Sequence, residues 1–180
     1  ELIYGGTLIE SLRFDATLYT TNVSALVKYR NDLDNLQAEN ATESNTVGLE
    51  VNVSYKTQQY NSYANFSWQN TRLEETSLFT LENRSQPELF PKFSSNFGIS
   101  YQFSDRNWQL SLNNQYVGKR PVSNSNVIIS ESFYEADDYL NSSLVLTKMF
   151  YLFEQKESKI QFKINDLFNE KFAYPGFGGI

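Results

Sequence analysis

Residues Phe93 to Arg120, FSSNFGISYQFSDRNWQLSLNNQYVGKR, restrict the fold more than any other part of the chain. Phe93, Phe97, Ile99, Tyr101 and Phe103 share one parity, and Ser94, Asn96, Gly98, Ser100 and Gln102 share the other. That two-residue period belongs to a β-strand with unlike faces. After Ser104-Asp105-Arg106-Asn107 it resumes, with Trp108, Leu110, Leu112 and Tyr116 outward and Gln109, Ser111, Asn113 and Gln115 inward. Two strands joined by a four-residue turn are predicted, with aromatic rings flanking the turn and closing the far end.

The placement of the rings decides which solvent the apolar face meets. A soluble sandwich would turn it into a core of Val, Ile and Leu with aromatics scattered through it. Rings gathered at the ends of each strand suit a bilayer, where aromatic girdles lie above and below an apolar band of roughly 25 Å. A water-soluble β-rich binding module is the weaker alternative.

Hydropathy alone would miss this. Mean hydropathy is -0.49, and no apolar run approaches the ~20 residues of a spanning helix. Barrel strands turn half their side chains from lipid, so their average looks soluble. The 180 residues include no Cys and no His, which argues against zinc, histidine-ligated haem, thiol catalysis and a Ser-His-Asp triad. No cofactor is expected. A net charge of -6 with dispersed Lys and Arg gives no nucleic-acid footprint.

In chain order, Glu1 to Leu8 reads as a strand already under way, with Leu2, Tyr4 and Leu8 on one parity. Leu12, Phe14, Ala16 and Leu18 follow outward, against Arg13, Asp15 and Thr17, in a strand reaching towards Tyr29. Arg30 to Ser44 is polar and aperiodic and reads as a long exposed loop. Val47, Leu49, Val51, Val53 and Tyr55 form the cleanest alternation, and Tyr60, Ala64, Phe66 and Trp68 return after a turn at Lys56 to Gln59. Leu73 to Pro91 contains Pro87 and Pro91 and is placed off the sheet. Lys119 to Asp138 is a third long loop. Tyr139 to Phe150 and then Ile160 to Ile164 supply the last two strands. About eight strands result, with connections alternating short and long. In outer-membrane barrels the short turns are periplasmic and the long loops extracellular.

The tail from Ile164 to Gly179, INDLFNEKFAYPGFGG, resembles the Asn-Asn-Leu-Phe-Asp/Asn-x-Lys-Tyr…Pro-Gly segment of TonB-dependent outer-membrane receptors. Tyr116 to Pro121, Thr46 to Val51 and Leu12 to Thr21 are also similar to pieces of that family, in its order. The resemblance implies an all-β, antiparallel transmembrane β-barrel, here about eight strands of a larger barrel of about 22 with a plugged lumen. Residues 1–180 are expected to be the C-terminal portion of the barrel, with the plug and the last strand outside the chain. An eight-strand arc would leave two unpaired edges, costing several kcal/mol per unsatisfied group in hydrocarbon.

The resemblance further implies import of a scarce ligand across the bacterial outer membrane, with no covalent chemistry done by the barrel. Iron-siderophore complexes are the commonest substrate in the family, and cobalamin, haem, other chelates and glycans are also carried. TonB would supply the energy through a segment absent here. Further partners would be the plug, the remaining strands, outer-membrane lipid and lipopolysaccharide. On the loops, Arg84, Lys119 and Arg120 would meet an anionic chelate, and Phe79, Phe133 and Tyr134 would stack on a ring. The same six residues also fit ordinary solvated loops. Asp137-Asp138 and Asp32/Asp34 lack calcium-loop spacing. Adjacent Glu74 and Glu75 would point to opposite faces of a strand and cannot act as a glycosidase pair. Sequons such as Asn52-Val53-Ser54 fall mid-strand and read as chance matches. A small complete eight-stranded barrel, serving as adhesin, anchor or enzyme, is the competing assignment.

Overall fold

A computed structural model describes residues 1–24, 26–32, 35–41, 43–74, 90–105, 107–121, 135–152 and 156–172. Eight strands form one antiparallel sheet in the order β1-β2-β5-β6-β7-β8-β11-β12. They are β1 (Leu2–Ile9), β2 (Leu12–Val23), β5 (Glu43–Lys56), β6 (Tyr60–Glu74), β7 (Phe93–Gln102), β8 (Trp108–Val117), β11 (Tyr139–Leu152) and β12 (Lys156–Ile164). Between them, β3 (Leu26–Asp32) pairs with β4 (Asn35–Ala41), and β9 (Arg120–Pro121) with β10 (Glu135–Ala136). Each sheet strand pairs with its sequence neighbours in the sheet, an up-and-down meander in which β1 and β12 are edges.

Register carries the alternation across the whole sheet, because directly paired residues of an antiparallel ladder share a face. One apolar row runs Leu12, Tyr55, Ser62, Ile99, Leu112, Leu144, Ile164. A parallel polar row runs Asp15, Asn52, Asn65, Asn96, Gln115, Asn141. The predicted inward and outward sets therefore lie on opposite faces in every strand. Leu8 is the exception: the register shifts between Thr7 and Ile9, and the extra residue lets Ile9 face Leu12.

No interior is built on either face among the described residues. Among the described residues, the buried hydrophobic ones are Ala136 and Tyr139, while Phe97, Ile99, Phe103, Trp108 and Leu110 are exposed although their strands are paired on both sides. A soluble sheet would bury that row. Many of its rings gather at two heights, with Phe14 and Phe97 in a row between them. At the short-turn end, Tyr60 and Tyr101 lie 5.1 Å apart, and Tyr101 and Phe103 meet edge-on at 5.1 Å. At the other end Trp68 pairs with Phe93, and Phe66 lies 6.1 Å from Phe93. Ten steps from Phe93 to Phe103 at ~3.4 Å each, tilted by about 40°, climb about 26 Å, the height of a hydrocarbon band.

Two of the short turns close on their own side chains. Thr57 Oγ1 accepts from Tyr60 N at 2.9 Å, and Asp105 Oδ1 accepts from Asn107 N at 3.0 Å. Two expectations at the opposite end need correction. The segment expected as an aperiodic loop from Arg30 to Ser44 contains part of the β3–β4 ladder and the start of β5. The off-sheet segment likewise begins later than Leu73, because Leu73 and Glu74 pair with Ser44 and Glu43. Ladder hydrogen bonds need only backbone, so strands surrounded by water continue without apolar alternation.

Candidate functional site

Among the described residues, two regions are candidates to meet a ligand: the polar face and the rim at the long-connection end. The polar face is a wall of amides and hydroxyls held by cross-strand bonds. Asn65 Nδ2 donates to Asn52 Oδ1 at 2.6 Å, Ser111 Oγ to Ser100 Oγ at 2.8 Å, and Gln161 Nε2 to Thr147 Oγ1 at 3.1 Å. Thr46 and Thr71 share a 2.8 Å bond between hydroxyls. A shallow groove of about 150 Å³ opens beside Asn52 and Asn65, with Glu50, Ser67, Ser94 and Asn96 around it. The arrangement offers many donors and acceptors and little net charge.

On this face tyrosines lie across glycines of the next strand. Tyr19 is paired with Gly48, and a Cβ at Gly48 would run into the Tyr19 ring. Tyr63 is paired with Gly98, donates to Asn113 Oδ1 at 3.2 Å, and would lie 2.9 Å from a Cβ at Gly98. Glycine here makes room for a neighbour's ring.

At the rim, residues at the two ends of the connection between β8 and β11 stack with the tail. Arg120 is 4% exposed, and its guanidinium carbon sits 5.2 Å from the centre of the Tyr139 ring. Tyr139 in turn stacks on Phe172 with centroids 4.2 Å apart and planes 11° from parallel. The tail is bent to reach it. Asp166 and Asn169 take φ values of 50 and 53, Glu170 N donates to Asp166 Oδ1 at 2.8 Å, and Leu167 N donates to Ser142 O at 2.9 Å. Asn and Asp tolerate the left-handed conformation better than other side-chain-bearing residues, which accounts for the Asn-Asp…Asn spacing of the tail.

Of the six expected ligand contacts, Phe79, Arg84, Phe133 and Tyr134 lie outside the described residues. Lys119 and Arg120 are neighbours with different surroundings. Lys119 is open to solvent, its Nζ 3.6 Å from Asp137 Oδ1. Arg120 is turned into the aromatic stack. The adjacent carboxylates diverge: Asp137 faces Lys119, while Asp138 accepts from the Tyr116 hydroxyl at 3.1 Å. Among the described residues, no cluster of His, Cys, Asp and Glu could hold a metal ion. Reading along the chain missed Tyr139 and Phe172, because their stack joins positions 33 residues apart.

This eight-stranded, two-faced meander is the fold of part of an outer-membrane receptor barrel. It superposes on the FrpB iron transporter from Neisseria meningitidis with a TM-score of 0.67 and 13% identity, over 96% of this chain and 26% of that one. For the copper transporter OprC the values are 0.70 and 16%, over 96% and 26%. For the ferripyoverdine receptor of the outer membrane of Pseudomonas aeruginosa they are 0.67 and 12%, over 94% and 23%. The chain thus spans about a quarter of the length of the receptors it matches. No family model matches the sequence, and no curated protein matches it either.

Proposed function

We propose that the chain is the C-terminal portion of the barrel of a TonB-dependent receptor in the bacterial outer membrane, importing a scarce ligand, with an iron-siderophore or similar chelate favoured. The observation that carries the proposal is the open sheet with an exposed apolar face and a bonded polar face, matched along nearly its whole length to iron, copper and ferripyoverdine receptors. In this reading the apolar rows face lipid and the amide wall lines the lumen around a plug. Lys119, Arg84, Phe79, Phe133 and Tyr134 then belong to the ligand-facing loops, and Arg120 holds the rim that carries them. A complete eight-stranded barrel is disfavoured, since β1 and β12 each pair on one side only.

The full-length receptor, expressed in an outer-membrane mutant that cannot take up ferric chelates, is expected to restore growth under iron limitation. Growth should fail again when TonB is removed. Growth unaffected by the receptor with every chelate class offered, or rescue that persists without TonB, overturns the assignment. Orientation is tested separately: a tag at Gln37, in β4, should be reachable on intact cells, and a tag at Asp105 should not. Reversed labelling would invert the barrel.

A further inference from the structure

On the apolar face, Lys148 stands in line with Leu144 and Leu146 of β11, where a cation is out of pattern. It is paired with Trp108 and Ile160, at the level of the Ser104–Asn107 turn. Lysine is costly at a bilayer midplane and tolerated near the interface. Its level beside the turn is therefore where such a side chain is tolerated. Its Nζ sits 4.6 Å from the centre of the Trp108 ring, a cation–π contact that holds the ammonium over the indole.

The same ring borders a groove of about 460 Å³ lined by Phe103, Ser104, Asp105, Trp108 and Leu146. Phe103, Trp108 and Leu146 give it an apolar wall continuous with the lipid-facing rows. Ser104 and Asp105 give it a polar lip. The Asp105 carboxylate is fixed by the bond from Asn107 N, which uses only part of its acceptor capacity. The apolar trough thus has an anion on its lip and a cation against one of the rings that line it.

We propose that this groove binds a phospholipid with a primary-amine headgroup, of the phosphatidylethanolamine type. Lys148 takes the phosphate, Asp105 takes the ammonium, and an acyl chain lies along Phe103, Trp108 and Leu146. Charge complementarity selects this headgroup. A phosphatidylglycerol offers nothing cationic to Asp105. A phosphatidylcholine has no N–H to donate, and the Trp108 face on which a quaternary ammonium would rest is already held by Lys148. The inference rests on the proposed membrane barrel and adds to it a lipid-selective point on the short-turn side.

The test is the full-length receptor folded into phosphatidylcholine bilayers that contain a minor fraction of brominated phosphatidylethanolamine, phosphatidylglycerol or phosphatidylcholine. Fluorescence from Trp108 is read as the difference between the receptor and its Trp108→Phe variant. Brominated phosphatidylethanolamine is expected to quench it at about tenfold lower mole fraction than the other two, the gain of one charge-assisted contact. Lys148→Gln and Asp105→Asn should each abolish that preference while heat-modifiable mobility shows them folded. Equal quenching by all three lipids, or a preference that survives both substitutions, removes the lipid site and leaves the barrel standing. Trp108 unquenched by any lipid places the ring off the membrane and removes both. The three-lipid comparison needs no variant at Lys148 or Asp105, so a misfolded mutant cannot blunt it.

Discussion

One residue apart on the same two strands, Asn52 meets Asn65 through a 2.6 Å hydrogen bond on one face, and Val51 faces Phe66 on the other. The polar face is held by specific bonds and close fits, while the apolar face consists of outward rings and branched chains. Glycines register the same contrast. A Cβ at Gly48 or Gly98 on the polar face would strike a tyrosine, whereas a Cβ at Gly6 on the apolar face would meet nothing within 4 Å. The polar face is shaped by neighbouring side chains, and the apolar face is left for a surrounding medium to fill.

The largest effect should come from putting charge on the wrong face. Val51→Arg, at the middle of the β5 apolar row, is expected to lose about 2–4 kcal/mol of folding stability in lipid vesicles, while Asn52→Arg stays within about 1. Equal losses, read by urea titration of the folded receptor, would break the assignment of faces. Next comes Gly98→Ala, whose Cβ would lie 2.9 Å from the Leu112 carbonyl oxygen as well as from the Tyr63 ring. Backbone cannot step aside, so about 1–3 kcal/mol should be lost, against about 0.5 or less for Gly6→Ala. A similar cost at both glycines would remove the difference in packing.

Smaller effects sharpen the contrast where polar groups stray onto the apolar face. Ser142 is 1% exposed and donates to Asn114 Oδ1 at 2.7 Å, and Asn114 Nδ2 donates to Phe97 O at 3.3 Å. Ser142→Ala takes the donor from the half-buried Asn114 acceptor and should cost about 1 kcal/mol. Asn65→Ala breaks a bond of similar length on the wetter face and should cost about 0.5. The same titration checks both, and a larger loss at Asn65 would mean that the polar face is the drier of the two.

The strands and their faces were legible because a period of two needs only neighbouring residues to be seen. Phe97 against Gly98, or Val51 against Asn52, states a side of the sheet without any partner. Strand ends were less legible: Ser44 and Leu73 pair although neither extends an apolar alternation. The rim was illegible for a different reason. Arg120 read as a ligand contact like Lys119, yet its place against Tyr139, and Tyr139's against Phe172, exists only once three distant segments are brought together. Lys148 escaped notice as one cation among leucines until pairing set it beside Trp108.

Alternation by itself determined that this chain makes a two-faced antiparallel meander with rings at both margins, since side-chain direction in an extended backbone follows from residue parity. Tertiary structure alone decided which strands abut, how far each runs past the apolar band, and which side chains of Asp105, Trp108, Arg120, Tyr139, Lys148 and Phe172 meet. Register and long-range stacking are properties of pairs, and a pair is not written in either member.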